Sequence, residues 1–357
     1  MARNLIKYLL EIDNDNEYIL FFNYFKKEYR SSLKFDSVEL YKLQIPRRLI
    51  KFIWSYCKVP IDSYFPKMDI FHSLHRLMPP TKKIKTLLNI HDCRFIAHPD
   101  LYSTKEVDSY RKQIEISLKH SDLIITISNF MKKEIQKYFG IDEEKIRVIY
   151  NGFDYKYPDK LKSSLQSQHF KFKTSRSYII FLGPLDKRKN LNRLLMAYEK
   201  AIHNDKSFPD ILIAGVDKYD FNKYLRINNL DISSFENKVI ITGFSTFKDI
   251  HLLISNAKAL CYPSIYEGFG YPPLEAMACG VPVLTSNTSS IPEIVGDAAL
   301  KVNPFSIEEI CQGLEQIVHD KEFRESLIKM GYNQVRKFPW EKTALSYVNA
   351  YNYLYRS

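Results

Sequence analysis

Short apolar runs alternate along the chain with longer segments in which apolar residues recur every three or four positions. Runs of the first kind are typical of buried strands, and segments of the second kind are typical of amphipathic helices. In the first half, strands are predicted at 18–22, 38–46, 68–74, 86–92, 122–128 and 146–154, and helices at 3–11, 47–59, 104–120 and 129–140. In the second half, strands are predicted at 178–183, 210–215, 238–243, 258–264, 281–287 and 299–303, and helices at 190–202, 221–229, 246–257, 272–280, 306–319 and 321–338. Strands that alternate with helices in this way favour parallel α/β sheets.

The two series are separated by residues 155–176, a polar segment rich in Lys and Ser that is the best linker candidate. A length of 357 residues also suits about two domains. We therefore predict two Rossmann-like domains, residues 1–165 and residues 166–339. Because ligands of such sheets bind beyond the carboxyl ends of the strands, the residues at strand ends are the candidates for chemistry.

Composition limits the class of protein. Hydrophobic residues make up 45% of the chain and charged residues 26%, which excludes a disordered or fibrous protein. No run approaches the roughly 18 apolar residues needed to span a membrane, and no small-residue cleavage site follows the first residues. The five scattered cysteines form no CxxC pair, so neither a disulfide framework nor a Cys-based zinc site is predicted, and a cytoplasmic location is favoured.

The formal charge of +11 favours anionic partners, although a Lys-rich surface with no such partner would give the same balance. No RNA-binding or zinc-finger pattern accompanies the charge, so nucleic acid is not expected. Basic helices that contain aromatic residues are predicted at 47–59, 104–120 and 130–138. They are candidates for a peripheral contact with an anionic membrane.

The segment Tyr262–Gly280 carries the densest candidate chemistry. Glu267 and Glu275 stand with seven residues between them, and two prolines precede the second at a predicted helix start. Free N–H groups and the helix dipole make such a start an anion site, and Gly268 and Gly270 allow a ligand to approach the backbone. Carboxylates around a phosphate cradle fit a sugar nucleotide, because they can hold its hydroxyl groups. The alternative is a helix start with solvated acids.

Three further residues lie where strands end. Arg188 and Lys189 follow a predicted strand and precede a helix, so both can point at a diphosphate, although basic residues at such positions are often only solvated. His91 ends a predicted strand of the first domain on the side of the cleft. Without other information, a histidine satisfied within the core is the alternative. No set of residues with metal-ligand spacing is found, so no metal site is predicted.

These segments resemble the E-x7-E signature and its surroundings in retaining glycosyltransferases of the GT4 type. That family has the GT-B fold, in which two Rossmann-like domains face a central cleft. The resemblance covers nearly the whole chain and includes residues 89–92, 125–128, 148–154, 181–198, 239–244, 262–280, 286–300 and 338–354. In the family the last of these segments crosses back to the first domain, so we expect residues 340–357 to complete that domain.

The resemblance implies a role for several residues near the signature. Glu275 would hold the ribose of a nucleotide-sugar donor, and Glu267 would hold hydroxyl groups of its sugar. Phe269 and Gly270 would offer backbone N–H groups to the donor, and Gly268 beside them would allow the donor to approach the backbone closely. His91 matches a histidine that lies near the transferred sugar.

Gly183 lies in a segment that looks like the family's phosphate-gripping loop, and Arg188 and Lys189 would neutralise the diphosphate. Many relatives carry an arginine directly after this glycine, where the present chain has Pro184, and Arg188 is the candidate to replace it. The segment that resembles the reader of the donor base contains Gly243 and Phe244.

The implied activity is transfer of a hexose, with retention of configuration, to a hydroxyl of a glycan or lipid-linked glycan in cell-surface polysaccharide synthesis. The RKN loop looks most like mannosyltransferases that use GDP-mannose, and no cofactor or metal is expected. Relatives open with a strand and a Gly-rich turn, whereas this sequence opens with the helix at 3–11, so the first domain is expected to lack both. A catalytically silent sugar-nucleotide-binding subunit and a sugar-nucleotide epimerase are the alternatives.

Overall fold

The computed structural model describes residues 1–23, 38–43, 45–54, 59–63, 65, 68–154, 176–243 and 246–357. In the described part of the first domain, six strands form a parallel pair and a parallel sheet of four in sequential order. The pair is β1 (Ile19–Asn23) and β2 (Glu39–Leu43), and the sheet is β3 (Ile70–Ser73), β4 (Lys85–Ile90), β5 (Leu123–Thr126) and β6 (Ile146–Val148). Every residue of β5 is buried, as expected for a central parallel strand.

The described part of the first domain contains five α-helices. They are α1 (Ala2–Ile12), α2 (Arg47–Phe52), α3 (Arg94–Ala97), α4 (Thr104–Lys119) and α5 (Asn129–Phe139). Ser103 and Glu106 form a reciprocal capping box at the start of α4. Gly140 ends α5 at φ +61°, a backbone conformation that glycine adopts without steric cost.

The second domain contains a six-stranded parallel sheet in the order β12-β11-β10-β7-β8-β9. Its strands are β7 (Tyr178–Leu182), β8 (Asp210–Ala214), β9 (Val239–Ile241), β10 (Leu260–Tyr262), β11 (Val283–Ser286) and β12 (Leu300–Val302). Its helices are α6 (Leu191–Asn204), α7 (Lys218–Ile227), α8 (Phe247–Ser255), α9 (Tyr271–Ala278), α10 (Ile291–Val295), α11 (Ile307–His319) and α12 (Lys321–Val335). The strand order reverses between β7 and β10, and in such sheets a reversal opens a crevice beyond the strand ends.

The chain then returns to the first domain as α13 (Trp340–Arg356). This helix packs against α1 and contacts β3 and β4. Trp340 and Tyr347 are buried there in one apolar cluster with Leu5 and Leu9 of α1. At the crossing, the N–H of Phe153 donates to the carbonyl of Phe338 over 2.7 Å.

The topology confirms the prediction of two α/β domains with parallel sheets. The linker candidate at 155–176 falls, except for its last residue, outside the described residues, and so does the predicted boundary at 165. Among the described residues, no helix combines the length and the apolar character that crossing a membrane requires.

Substituting Gly152 is expected to destabilise the protein at the point where the chain crosses back. A Cβ on Gly152 would lie 2.2 Å from the indole ring of Trp340, which is itself buried. Gly152→Ala should therefore cost about 2–3 kcal/mol, the effect of overpacking a filled core. The measurement is the midpoint of thermal unfolding.

Gly140→Ala is the matched control, because a Cβ at Gly140 meets no atom within 4 Å and only its positive φ is unfavourable. Its expected cost is about 1 kcal/mol. If the Gly152→Ala protein is as stable as the Gly140→Ala protein, the ring of Trp340 must move to accommodate the added Cβ, which would contradict the prediction.

Candidate functional site

The loop after β10 leads into α9 and forms one wall of the crevice. Gly270 caps α9 with φ +105°, and a Cβ there would lie 2.6 Å from Ile291, so both conformation and space require glycine. Pro272 and Pro273 occupy the first turn, as predicted. The helix begins one residue earlier than expected, at Tyr271, so Glu275 is its fifth residue rather than part of its first turn.

Glu267 is the centre of a buried polar cluster. Only 9% of the residue is exposed, and its Oε1 accepts hydrogen bonds from Lys189 Nζ at 2.6 Å, Tyr262 OH at 2.8 Å and Ser264 Oγ at 2.7 Å. Lys189 Nζ also donates to the hydroxyl of Tyr262. The structure thus brings together Glu267 and Lys189, both named as candidates from the sequence, and here they bind each other.

Arg188 is the second cation beside Glu267, and it also pairs with Asp186. Its guanidinium lies 3.5 Å from Glu267 Oε2 and 3.0 Å from Asp186 Oδ2. Burial alone would raise the pKa of Glu267, but Lys189 and Arg188 hold it below its ordinary value. The Nε–H of Arg188 is buried and has no hydrogen-bond acceptor among the described residues. Such a donor is suited to an anionic ligand.

Glu275 is the second carboxylate of the site, and its surroundings differ from those of Glu267. No described residue donates a hydrogen bond to its side chain, and burial raises its pKa to about 7. The N–H groups of Phe269 and Gly270 likewise meet no acceptor among the described residues. This wall of the crevice thus offers one carboxylate and two backbone donors to a ligand.

Two glycines that were predicted to contact a ligand follow β7 and β9. Gly183 directly follows β7 at φ +129°, and a Cβ on it would lie 3.4 Å from the side chain of Lys189. Gly243 follows β9 at φ +73°, and its N–H donates to the carbonyl of Val216. Phe244 lies outside the described residues.

His91 lies at the end of β4, against the loop that carries Glu267. Its Nε2 is 3.0 Å from the carbonyl oxygen of Leu74, so Nε2 carries the proton and Nδ1 is left as an acceptor. Burial lowers the pKa of His91, which favours this neutral form. A Cβ on Gly268 would lie 2.4 Å from the carbonyl oxygen of His91, so only glycine allows the loop to pass this close.

Several residues that shape the site were not predicted from the sequence: Asp186, Tyr262, Ser264, Ser289 and Ser290. Asp186 could have been found, because aspartate is a favoured N-cap and its side chain caps the short 3-10 turn Lys187–Lys189 that precedes α6. Ser289 accepts a hydrogen bond from the N–H of Glu267, and Ser290 donates to the carbonyls of Glu267 and Phe269. Nothing local marks these serines, because their role depends on β11 lying beside β10. No cluster of metal-ligating side chains occurs in the described part of the chain.

Two family models together match most of the chain. The model described as Glycosyltransferase Family 4 matches residues 4–157, and the one described as Glycosyl transferases group 1 matches residues 163–334. The junction between them falls within the polar segment that separates the two sheets.

Curated relatives resemble the chain at moderate identity. The O-antigen chain mannosyltransferase B of Escherichia coli is 28% identical over 321 residues, covering 89% of this chain and 80% of the relative. The O-antigen chain mannosyltransferase RfbU of Salmonella typhimurium is 28% identical over 259 residues, covering 72% of this chain and 67% of the relative. The serotype-specific mannosyltransferase WbdA of Escherichia coli is 29% identical over 242 residues, and the match spans only 30% of its length.

Solved structures support the fold. The sucrose-phosphate synthase of Thermosynechococcus elongatus superposes with a TM-score of 0.76 at 19% identity, covering 99% of this chain and 92% of its own. Anabaena HepE, solved with UDP and glucose, gives a TM-score of 0.65 at 16% identity, covering 88% and 86%. At these identities the likeness concerns the architecture alone.

The two carboxylates are expected to respond to pH in different ways. Because the folded protein holds the pKa of Glu275 near 7, the charged carboxylate costs stability as the pH rises from about 4.5 to 7, and the cost is fully present above pH 7. Glu275→Gln should therefore stabilise the ligand-free protein at pH 8, by at most about 3 kcal/mol, and not at pH 4.5.

Glu267→Gln is the matched comparison and should be destabilising at both pH values. It leaves the two buried cations without their partner, at a cost of about 3 kcal/mol or more. Thermal unfolding of wild type and both variants at pH 4.5 and pH 8 checks the pair. A stabilisation by Glu275→Gln of equal size at both pH values would contradict the shifted pKa.

Proposed function

The chain belongs to the GT4-type glycosyltransferases, and from that premise we propose that it moves a hexose from a nucleotide-sugar donor to a hydroxyl of a growing glycan, with retention of configuration. The observation that carries the proposal is the joining of Glu267 to Lys189 and Arg188 beside the open start of α9. Two cations and free backbone N–H groups at one end of a cleft suit the charge that develops on a departing diphosphate.

The proposed roles divide among the residues by chemistry. Glu275, whose carboxylate lacks a donor from the described residues, would accept hydrogen bonds from the ribose. Glu267 would orient hydroxyls of the sugar while it holds Lys189 in place. Arg188 would donate its unpaired Nε–H to the diphosphate, and His91 would lie by the sugar. With these cations supplying the positive charge, we expect the reaction to need no metal.

GDP-mannose is the proposed donor. Support comes from the RKN loop and from the relatives, whose names describe O-antigen chain mannosyltransferases and a serotype-specific mannosyltransferase. The corresponding acceptor is a glycan, free or lipid-linked, of a cell-surface polysaccharide.

A lipid-linked acceptor would lie at a membrane, and we propose that the first domain meets that surface peripherally from the cytoplasm. Residues 1–165 hold 29 basic and 21 acidic residues, so most of the chain's excess charge of +11 belongs to them. No acidic residue stands between Glu39 and Asp62, whereas that interval holds five basic ones. Within it, Leu49 of α2 is 49% exposed. An exposed apolar side chain within a segment rich in basic residues is typical of binding to anionic lipid surfaces.

Removing Lys189 or Glu275 should abolish transfer. Lys189→Ala and Glu275→Ala are each expected to lower the rate of GDP release from GDP-mannose in the presence of a mannoside acceptor by at least about a hundredfold. Lys200→Ala and Glu308→Ala are the controls, because those residues form an exposed ion pair between α6 and α11 and should leave the rate unchanged. Rates within a few-fold of wild type for the first two variants would overturn the roles proposed for Lys189 and Glu275.

The same assay separates the alternatives. The anomeric configuration of the product, read by NMR, tests retention, and full activity in EDTA tests independence of metal. If a panel of nucleotide sugars binds in calorimetry but none is turned over, the chain is a silent binding subunit. If the sugar changes configuration without an acceptor, the chain is an epimerase.

Binding to lipid is expected to depend on charge and on Leu49. The protein should sediment with vesicles that contain phosphatidylglycerol and remain in solution with vesicles of phosphatidylcholine alone. Leu49→Ser should weaken sedimentation, whereas Leu345→Ser, at a similarly exposed position of α13, should not. Absence of binding to the anionic vesicles would refute the membrane contact.

A further inference from the structure

A carboxylate of the second domain caps a helix of the first. Glu293, on α10, accepts hydrogen bonds from the backbone N–H groups of Asn129 at 2.7 Å and Phe130 at 3.1 Å. These are the first two N–H groups of α5, which have no partner within their own helix. Its Oε1 also accepts from the hydroxyl of Tyr150 at 2.6 Å and from the side-chain amide of Asn129 at 2.7 Å. All four donors therefore belong to the first domain.

The segment that carries Glu293 also holds the loop of Glu267. Ser289 and Ser290, immediately before α10, bond to the backbone of Glu267 on both sides, through its N–H and its carbonyl. Ser128, which caps α5 through its hydroxyl oxygen, donates its hydroxyl hydrogen to the carbonyl of Gly268 over 2.9 Å. The start of α5 is thus held by the second domain at two points, and both are fixed to one loop.

We propose that Glu293 is a positioning residue for transfer: by capping α5 across the interface, it holds the first domain, and His91 with it, over the loop that binds the donor. The role in transfer rests on the proposed function, whereas the hydrogen bonds of Glu293 are observed independently of it.

The hydrogen bonds between Glu293 and the start of α5, called the latch below, can form and break reversibly. A carboxylate at a helix N-terminus meets the positive end of the helix dipole as well as the two N–H groups. Glu293 is only partly buried, so when the domains part, water can replace its partners without a large penalty. The latch therefore biases the domains toward closure without preventing release of product.

The latch predicts a separation between nucleotide affinity and turnover. The residues proposed to hold the nucleotide all belong to the second domain, so Glu293→Ala should change the affinity for GDP less than about threefold. It should lower kcat about tenfold or more, because misplacement by about 1 Å is costly to transfer. Glu293→Gln keeps one acceptor oxygen and should lie between the alanine variant and wild type.

The test combines calorimetry with GDP, kcat with GDP-mannose and a mannoside acceptor, and the radius of gyration from solution X-ray scattering. Asp297→Asn is the matched control, because it removes a negative charge two residues beyond α10 from a side chain that is 97% exposed and bonds only within its own domain. We expect a larger radius of gyration and a low kcat for Glu293→Ala, and wild-type values for Asp297→Asn.

A Glu293→Ala protein with wild-type radius and wild-type kcat overturns the latch, and so does a loss of GDP affinity as large as the loss of kcat. If wild type turns over no nucleotide sugar, the proposed function fails, while the radius of gyration still reports whether Glu293 holds the domains together. The scattering measurement therefore tests the contact made by Glu293, and the activity measurement tests the proposed function, each independently of the other.

Discussion

A carboxylate that is almost fully buried must be matched by positive charge, and Glu267 imposes that condition on the centre of this protein. Lys189 and Arg188 meet it from the turn after β7, and Tyr262 and Ser264 supply the remaining hydrogen bonds from the end of β10. The two strands lie side by side at the point where the strand order reverses. The sheet topology therefore brings the charged groups of Glu267, Lys189 and Arg188 together, and their ion pairs hold the loop that follows β10 in place.

The first domain contacts the loop after β10 with its backbone as well as with its side chains. Gly268 lets the loop pass against the carbonyl of His91, and any larger residue would separate the two. Tyr266, two residues earlier, forms T-shaped ring contacts with His98 and Phe130, and its hydroxyl accepts a hydrogen bond from the N–H of Cys93. The loop is therefore both the wall of the crevice and the surface on which the first domain rests.

The sequence allowed the elements to be predicted more completely than the site. Parallel strands such as β7 and β8 are buried along their whole length, so their apolar runs stand out, and the helix predicted at 129–140 is found as α5 with its C-cap at Gly140. Glu267 and Lys189 were recognisable because glycines, prolines and strand ends surround them. That their charges pair with each other could not be read from the chain, since 78 residues separate them. The serines after β11 and Glu293 escaped notice for the same reason: their partners are set by strand order and by domain contact. The start of α9 was misplaced by one residue because Gly270, in a left-handed conformation, caps the helix before the prolines.

The return of α13 to the first domain has a consequence for how the protein acquires its structure during synthesis. Domains commonly fold in the order in which the ribosome releases them. Here the apolar cluster beneath α1 includes Trp340 and Tyr347, which are translated after every strand of the second domain. The second domain can therefore complete its core while the first still exposes the surface that α13 will cover. The half of the molecule that is made first can therefore bury its last apolar surface only after the other half has been translated.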